Sequence, residues 1–168
     1  ARSRKVAEDS GAEIVIVEVG GTVGDIEGQP FLEAIRQFKK DAGAGNTLYV
    51  HVTLVPYVGP WGEVKTKPTQ HSVIKLREIG IQPDVLICRS KLPLTRDMKE
   101  KIALFCDVDM DGVIDAVDTD CIYEIPVTFE QEGFARLVLE RLGLPDRPPM
   151  LADWEEMTEW VKHPGHEV

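Results

Sequence analysis

Short runs of β-branched and aliphatic residues, each followed by a stretch with helical period, constrain this chain more than any other feature. Residues 13–19 (EIVIVEV), 46–56 (NTLYVHVTLVP) and 84–88 (DVLIC) read as strands, and Val113 with Ile114 reads as a short fourth. Between them lie amphipathic stretches. In residues 30–42, Pro30 suits a first helical position and Phe31, Ile35, Phe38 and Ala42 share one face, with Gly43 as a stop. Residues 69–79 place Val73, Leu76 and Ile79 on one face before Gly80. Thr95 is a good cap for a helix over 95–105, whose apolar face is Met98, Ile102 and Phe105.

Further along, a brief helix near 118–125 is expected to end before Pro126. An amphipathic helix follows over 129–142, with Phe134, Leu137, Val138 and Leu142 inward. Pro145, Pro148 and Pro149 make a stiff connector, and 154–161 reads as a last helix. Strands alternating with helices give an α/β fold, with a mainly parallel sheet and helices on both faces. In such sheets ligands bind beyond the carboxyl ends of the strands, so the loops 20–28 and 57–68 are the places to search.

Charge narrows the partner classes. Nineteen Lys and Arg against 29 Asp and Glu give a net −10 over 168 residues, which argues against general nucleic-acid or anionic-membrane binding. No apolar run approaches the ~20 residues of a membrane span, and the polar first ten residues show no signal peptide. Cys88, Cys106 and Cys121 are odd in number, widely spaced and without CxxC, so neither a disulfide framework nor a zinc site is indicated. A reduced, cytoplasmic setting is the expectation. The chain begins with Ala1, which is expected of a processed or cut-out segment.

Three local features carry chemistry. Glu18 ends the first apolar run, where nucleotide-hydrolysing α/β proteins hold Mg²⁺; a strand-end acid meeting solvent is the competing reading, and the pattern alone favours it. The glycine-rich stretch 20–28 follows, and its Asp25 and Glu27 suit ribose hydroxyls or a base. A plain turn before Pro30 is an equal alternative. The sharpest feature is Lys65, Thr66, Lys67, Pro68, Thr69 and Gln70 at a helix start. Ammonium groups, hydroxyls and unpaired N–H groups at a helix N-terminus favour an anion, and in an acidic chain this basic knot reads as a triphosphate clamp. A solvated charged loop is the alternative.

The histidines and lone aromatics are less informative. His51 reads as a satisfied core or edge residue, and His71 neighbours the clamp or simply a helix surface. His163 and His166 lie in the tail, and Trp61 is a lid or an exposed aromatic. Residues 107–118 copy a calcium loop, with acids at Asp107, Asp109, Asp111 and Asp115 and glycine at Gly112. Position twelve is Asp118 where a bidentate Glu is wanted, and Pro126 cuts short the second flanking helix. A non-catalytic calcium-binding module is kept as the alternative reading. No G-x-x-x-x-G-K-[ST] occurs in the chain.

The stretches EVGGTVGDIEGQPFLEAIRQ (18–37), HVTLVPYVGPWGEVKTKPTQHSV (51–73), IGIQPDVLICRS (79–90) and KIALFCDV (101–108) resemble CTP synthases, with the resemblance covering about residues 11–126. It implies a P-loop NTPase-like amidoligase fold similar to dethiobiotin synthetase, here as a partial domain. Residues 1–143 would be the later part of the synthetase domain. Residues 144–168 would be a C-terminal helix and the start of a linker towards an absent glutaminase domain. The implied reaction uses ATP to phosphorylate the 4-oxygen of UTP, and glutamine-derived ammonia then displaces the phosphate to give CTP.

The resemblance also assigns residues. Glu18 would be a Mg²⁺ carboxylate. Asp25, Ile26 and Glu27 would bind the pyrimidine nucleotide, including CTP as feedback inhibitor. Lys65, Thr66, Lys67, Pro68, Thr69 and Gln70 would grip the UTP or CTP triphosphate, with Lys65 and Lys67 nearest the catalytic work. Lys101 would also contact UTP or CTP, and Asp118 with Thr119 would lie beside the adenine of ATP. Val117 and the Gly59, Pro60, Trp61 stretch depart from the family pattern. A homotetramer is implied for the complete enzyme. The missing phosphate loop implies that this chain carries the UTP half of the site and is inactive alone.

Overall fold

The computed structural model describes residues 2–43, 45–59 and 62–163. Pro60, Trp61 and His166 therefore lie outside the described residues, as does the end of the expected linker. The elements in chain order are α1 (Arg2–Ser10), α2 (Gln29–Ala42), β1 (Val50–Val55), β2 (Tyr57–Val58), β3 (Glu63–Val64), α3 (Lys67–Glu78), β4 (Val85–Ser90), α4 (Arg96–Cys106), β5 (Val113–Val117), α5 (Ile125–Gln131), α6 (Phe134–Arg141) and α7 (Ala152–Lys162).

β4 lies between β1 and β5 and runs parallel to both. Its residues are buried except Arg89, as expected for a central strand covered on two faces. On one face Val55, Leu86, Cys88 and Val113 pack against Val73 of α3 and Ile102 and Cys106 of α4. On the other, Val85, Ile87 and Ile114 pack against Leu137 of α6 and Phe129 of α5. The expected α/β architecture, parallel sheet and two-sided helical cover are thus present.

Local chemistry explains the helix ends. Thr95 accepts a hydrogen bond from the Met98 N–H at 3.3 Å and caps α4. Prolines occupy the first turns of α2, α3 and α5, where the missing N–H costs nothing.

Five expectations are corrected. Residues 13–19 form no strand: the segment is extended but irregular, and Ile16 is 91% exposed. A strand exists only against a partner, and among the described residues no strand lies beside this run. The loop 57–68 instead contains a small antiparallel hairpin, β2 with β3. Pro126 opens α5 rather than ending a helix, because its fixed φ suits a first turn. The expected helix 129–142 is two helices, broken at Gly133 where φ is +75°, a conformation that favours glycine. Phe105 and Phe31 face solvent, so the buried face of α4 is Ile102 and Cys106, and α2 buries no residue fully. α1 was not foreseen; Arg4 ties it to α2 through the Asp41 carbonyl and the face of Phe38.

Candidate nucleotide site

The 65–70 turn sits beyond the carboxyl end of β1, between the hairpin and α3. The Lys65 N–H donates to the Pro56 carbonyl at 2.9 Å, which brings the turn back to the end of the strand. From there the segment divides into anchors and free heads. Thr66, Thr69 and Gln70 are buried, whereas Lys65, Lys67 and Pro68 are exposed. Thr69 Oγ1 reaches the Leu54 carbonyl and Thr53 Oγ1, each at 3.1 Å, and Gln70 Nε2 donates to Thr66 Oγ1 at 3.2 Å. The hydroxyls and the amide were expected to face the ligand. Thr69 instead ties the first turn of α3 to β1, Gln70 and Thr66 pair with each other within that turn, and the two lysines are left exposed.

Lys65 already holds an anion, the Glu63 carboxylate at 2.5 Å. Both groups are well exposed, so the pair is worth at most about 1 kcal/mol and exchanges readily for a stronger anion. Thr66 makes no side-chain cap, so it leaves the N–H groups of the α3 N-terminus to other acceptors.

The other expected residues are dispersed. Glu18, Asp25, Ile26 and Glu27 are exposed, Asp25 accepting from the Thr22 N–H at 3.1 Å. Among the described residues neither Glu18 nor the 25–27 stretch makes a hydrogen bond or ion pair with residues 65–70. Lys101 is exposed on α4. Asp118 and Thr119 lie beyond the carboxyl end of β5, where Asp118 pairs with Arg89 at 3.5 Å and its N–H donates to the Ser90 carbonyl. They line a groove of about 380 Å³ with Glu124 and Lys162. The candidates thus fall in four places, and of these the lysine turn beyond β1 and the groove beyond β5 are the two at carboxyl ends of the parallel strands.

The calcium-loop reading fails on context. The stretch runs from α4 through a single 3-10 turn, Met110–Gly112, into β5, so no second helix flanks it. Asp107 is the left-handed cap of α4, with φ +56°. Asp109 and Asp111 both receive the Arg141 guanidinium, at 2.9 and 3.3 Å. At Gly112 the chain passes close to its neighbour: a Cβ there would sit 3.0 Å from the Asp84 carbonyl oxygen, a tight contact. Among the described residues no group of three or more His, Cys, Asp or Glu side chains is placed to hold a metal.

A buried polar cluster escaped the sequence reading. Thr53, Cys88 and Asp115 stand in one row across the sheet, beneath α3 and α4. Lys99 Nζ lies 3.4 Å from Asp115 and 2.7 Å from Glu132, which also accepts from the Asp115 N–H. Burial raises the Asp115 pKa against the pull of Lys99, and burial pushes the Cys88 thiol up to about 12. The one sequence signal was a carboxylate inside the apolar run VIDAV.

Residues 1–144 match the family model described as the CTP synthase N-terminus. The chain belongs to the CTP synthase family. It is 59% identical over 162 residues to a CTP synthase of Pelotomaculum thermopropionicum, covering 96% of this chain and 30% of that one. It is 58% identical over 158 residues to a CTP synthase of Methanocaldococcus jannaschii, covering 94% and 29%. For the CTP synthase of Symbiobacterium thermophilum the identity is 58% over 166 residues, covering 98% and 31%. The chain therefore spans about three tenths of the length of these relatives. Membership brings the P-loop-like amidoligase fold class, in keeping with the parallel sheet and its two helical layers.

Proposed function

We propose that this chain carries the UTP- and CTP-binding half of a CTP synthase, a ligase that forms a C–N bond in pyrimidine biosynthesis. One observation carries the reading: two exposed lysines on a turn bolted to the sheet, at a helix N-terminus beyond a strand's carboxyl end, in a chain of net −10. A mobile basic loop would spread its charge over many positions. Here Thr69 and Gln70 hold the backbone, so Lys65 and Lys67 present their ammonium groups from a defined base.

In the proposed reaction the γ-phosphoryl group of ATP passes to O4 of UTP. Ammonia then adds at C4, and the C4–O4 bond breaks to release phosphate and leave CTP. Lys65 and Lys67 bind the UTP triphosphate and neutralise its charge, with Thr66, Pro68, Thr69 and Gln70 shaping the turn beneath it. Asp25, Ile26 and Glu27 serve the pyrimidine nucleotide, CTP included, and Lys101 adds a further cation. Asp118 and Thr119 take the adenine end of ATP.

Glu18 suits one Mg²⁺ ligand. It is an exposed carboxylate without an ion pair among the described residues, and a phosphate-bound Mg²⁺ takes one or two carboxylates and keeps its waters. When bound, Mg²⁺ would neutralise charge on the ATP phosphates. A glutaminase domain as ammonia source, a homotetramer and a cytoplasmic setting belong to the same proposal. Three free, buried cysteines accord with a reducing compartment. Among the described residues no helix is long and apolar enough to cross a membrane.

Calorimetric titration of the purified protein with UTP, CTP and GTP tests the reading. Saturable binding of UTP and CTP in preference to GTP is expected. Equal, weak uptake of all three would contradict it.

A further inference from the structure

The groove beyond β5 has a wall that the assignment of Asp118 and Thr119 leaves unexplained. Its far side is the last turn of α7, separated from β5 by more than forty residues of chain. The bridging group is Glu124, at the end of a 3-10 turn, Ile122–Glu124. One of its carboxylate oxygens accepts from the Thr119 hydroxyl and the other from the Lys162 ammonium. Those two bonds hold its pKa below the ordinary range, so the carboxylate stays ionised. Tyr123 and Trp154, with ring centroids 6.2 Å apart, pack the start of α7 on the same turn. Thr119 is thus oriented by a residue that is itself held by α7.

The charges around the groove define what fits there. Asp118, Asp120 and Glu124 line it, and Lys162 is the one cation among its lining residues. Three carboxylates repel a triphosphate. They suit the uncharged donor-bearing end of a nucleotide, such as the exocyclic amine and ribose hydroxyls of adenosine. An adjoining groove of about 360 Å³ continues between α5 and α7, past Thr158, whose buried Oγ1 has no hydrogen-bond partner among the described residues. On its α7 side this groove is lined by Glu155, Thr158 and Glu159, so the polar lining extends along that helix.

We propose that α7 is part of the ATP site, with Glu124 and Lys162 as positioning residues that set the Thr119 hydroxyl and close the groove around the adenosine end of ATP. The proposal rests on the CTP synthase reading above and adds to it a wall contributed by a helix remote in sequence.

The test uses the protein at its natural length. Lys162→Ala and Glu124→Gln are each expected to raise the KM for ATP about threefold to fivefold, the range an exposed ion pair supplies, with the KM for UTP unchanged. Lys162→Arg is expected to restore the ATP value, which a loss of packing alone would not allow. A second measurement needs no variant: acylation of Lys162 by an amine-reactive reagent, read by mass spectrometry, should fall when a non-hydrolysable ATP analogue is present and not when UTP is. Unchanged ATP dependence in both variants, or equal labelling of Lys162 with and without the analogue, would overturn the proposal. If Lys65→Ala raises the UTP requirement in the same preparations while Lys162→Ala leaves ATP untouched, only the role of α7 falls. If the natural-length protein makes no CTP, the parent reading falls and this one with it.

Discussion

Thr69 Oγ1 lies 3.1 Å from Thr53 Oγ1, and that contact fixes the lysine-bearing turn to the sheet. Both side chains are buried, and Thr69 also reaches the Leu54 carbonyl. The turn is therefore an extension of β1 rather than a loop draped over it. A charge-bearing segment gains from such an anchor because the entropy of ordering it is lost on folding, before the ligand arrives.

Removing that hydroxyl should separate stability from charge. Thr69→Val keeps the shape but loses both hydrogen bonds. A loss of about 1–2 kcal/mol in urea denaturation is expected, together with weaker UTP binding although no lysine has been touched. Unchanged stability would show that the contact contributes nothing.

The Lys99 cluster should respond more strongly. Lys99 is largely buried between Asp115 and Glu132, 2.7 Å from the latter. Lys99→Met would leave two carboxylates facing each other without a cation, at a cost on the order of 3 kcal/mol. Adding Asp115→Asn to that variant should recover part of the loss, because one of the uncompensated charges is then gone. A double-mutant cycle by urea unfolding measures both effects. Additive losses would mean that the three groups act independently.

His51 supplies a pH dependence. Burial beneath α3 lowers its pKa, and its Nε2 lies 2.8 Å from Ser72 Oγ. The unfolded value is about 6.5. The unfolded state therefore binds the proton more readily, and the stabilisation is complete above about pH 6.5 and declines as pH falls towards the folded value. Chemical denaturation at pH 7.5, 6.5 and 5.5 should show a loss that His51→Gln reduces. An identical pH slope in the variant would place the titration elsewhere.

The legible and illegible parts of this fold divide by range. α3 and α4 could be read because their periods, caps and stops are local: Thr95 caps α4, and Pro68 lies in the first turn of α3. The apolar runs of β1 and β4 form strands as read because their register partners, such as Val55 and Ser90, are in the chain. The run 13–19 has a strand's composition and no strand's structure, because a strand depends on a neighbour and composition does not show whether one is present. Gly133 divided a helix whose apolar spacing looked continuous, and Pro126 started one it was expected to end.

At the site, residue type was readable and orientation was not. Lys65 and Lys67 are exposed, whereas Thr69 and Gln70 turn inward to partners on β1 and on the same turn, which only the folded sheet reveals. The Glu124 link between Thr119 and Lys162 joins residues too far apart for any motif to show. The calcium-like spacing of Asp107, Asp109 and Asp111 had separate local causes: a helix cap and an Arg141 partner.

The most direct test of the lysine turn is UTP binding to Lys65→Ala and Lys67→Ala, measured by calorimetry beside ATP binding to the same variants. A charge-assisted contact to phosphate is worth about 1.5–3 kcal/mol, so each variant should bind UTP roughly ten- to a hundredfold more weakly while ATP affinity holds. UTP affinity equal to that of the unaltered protein in both variants would contradict the account.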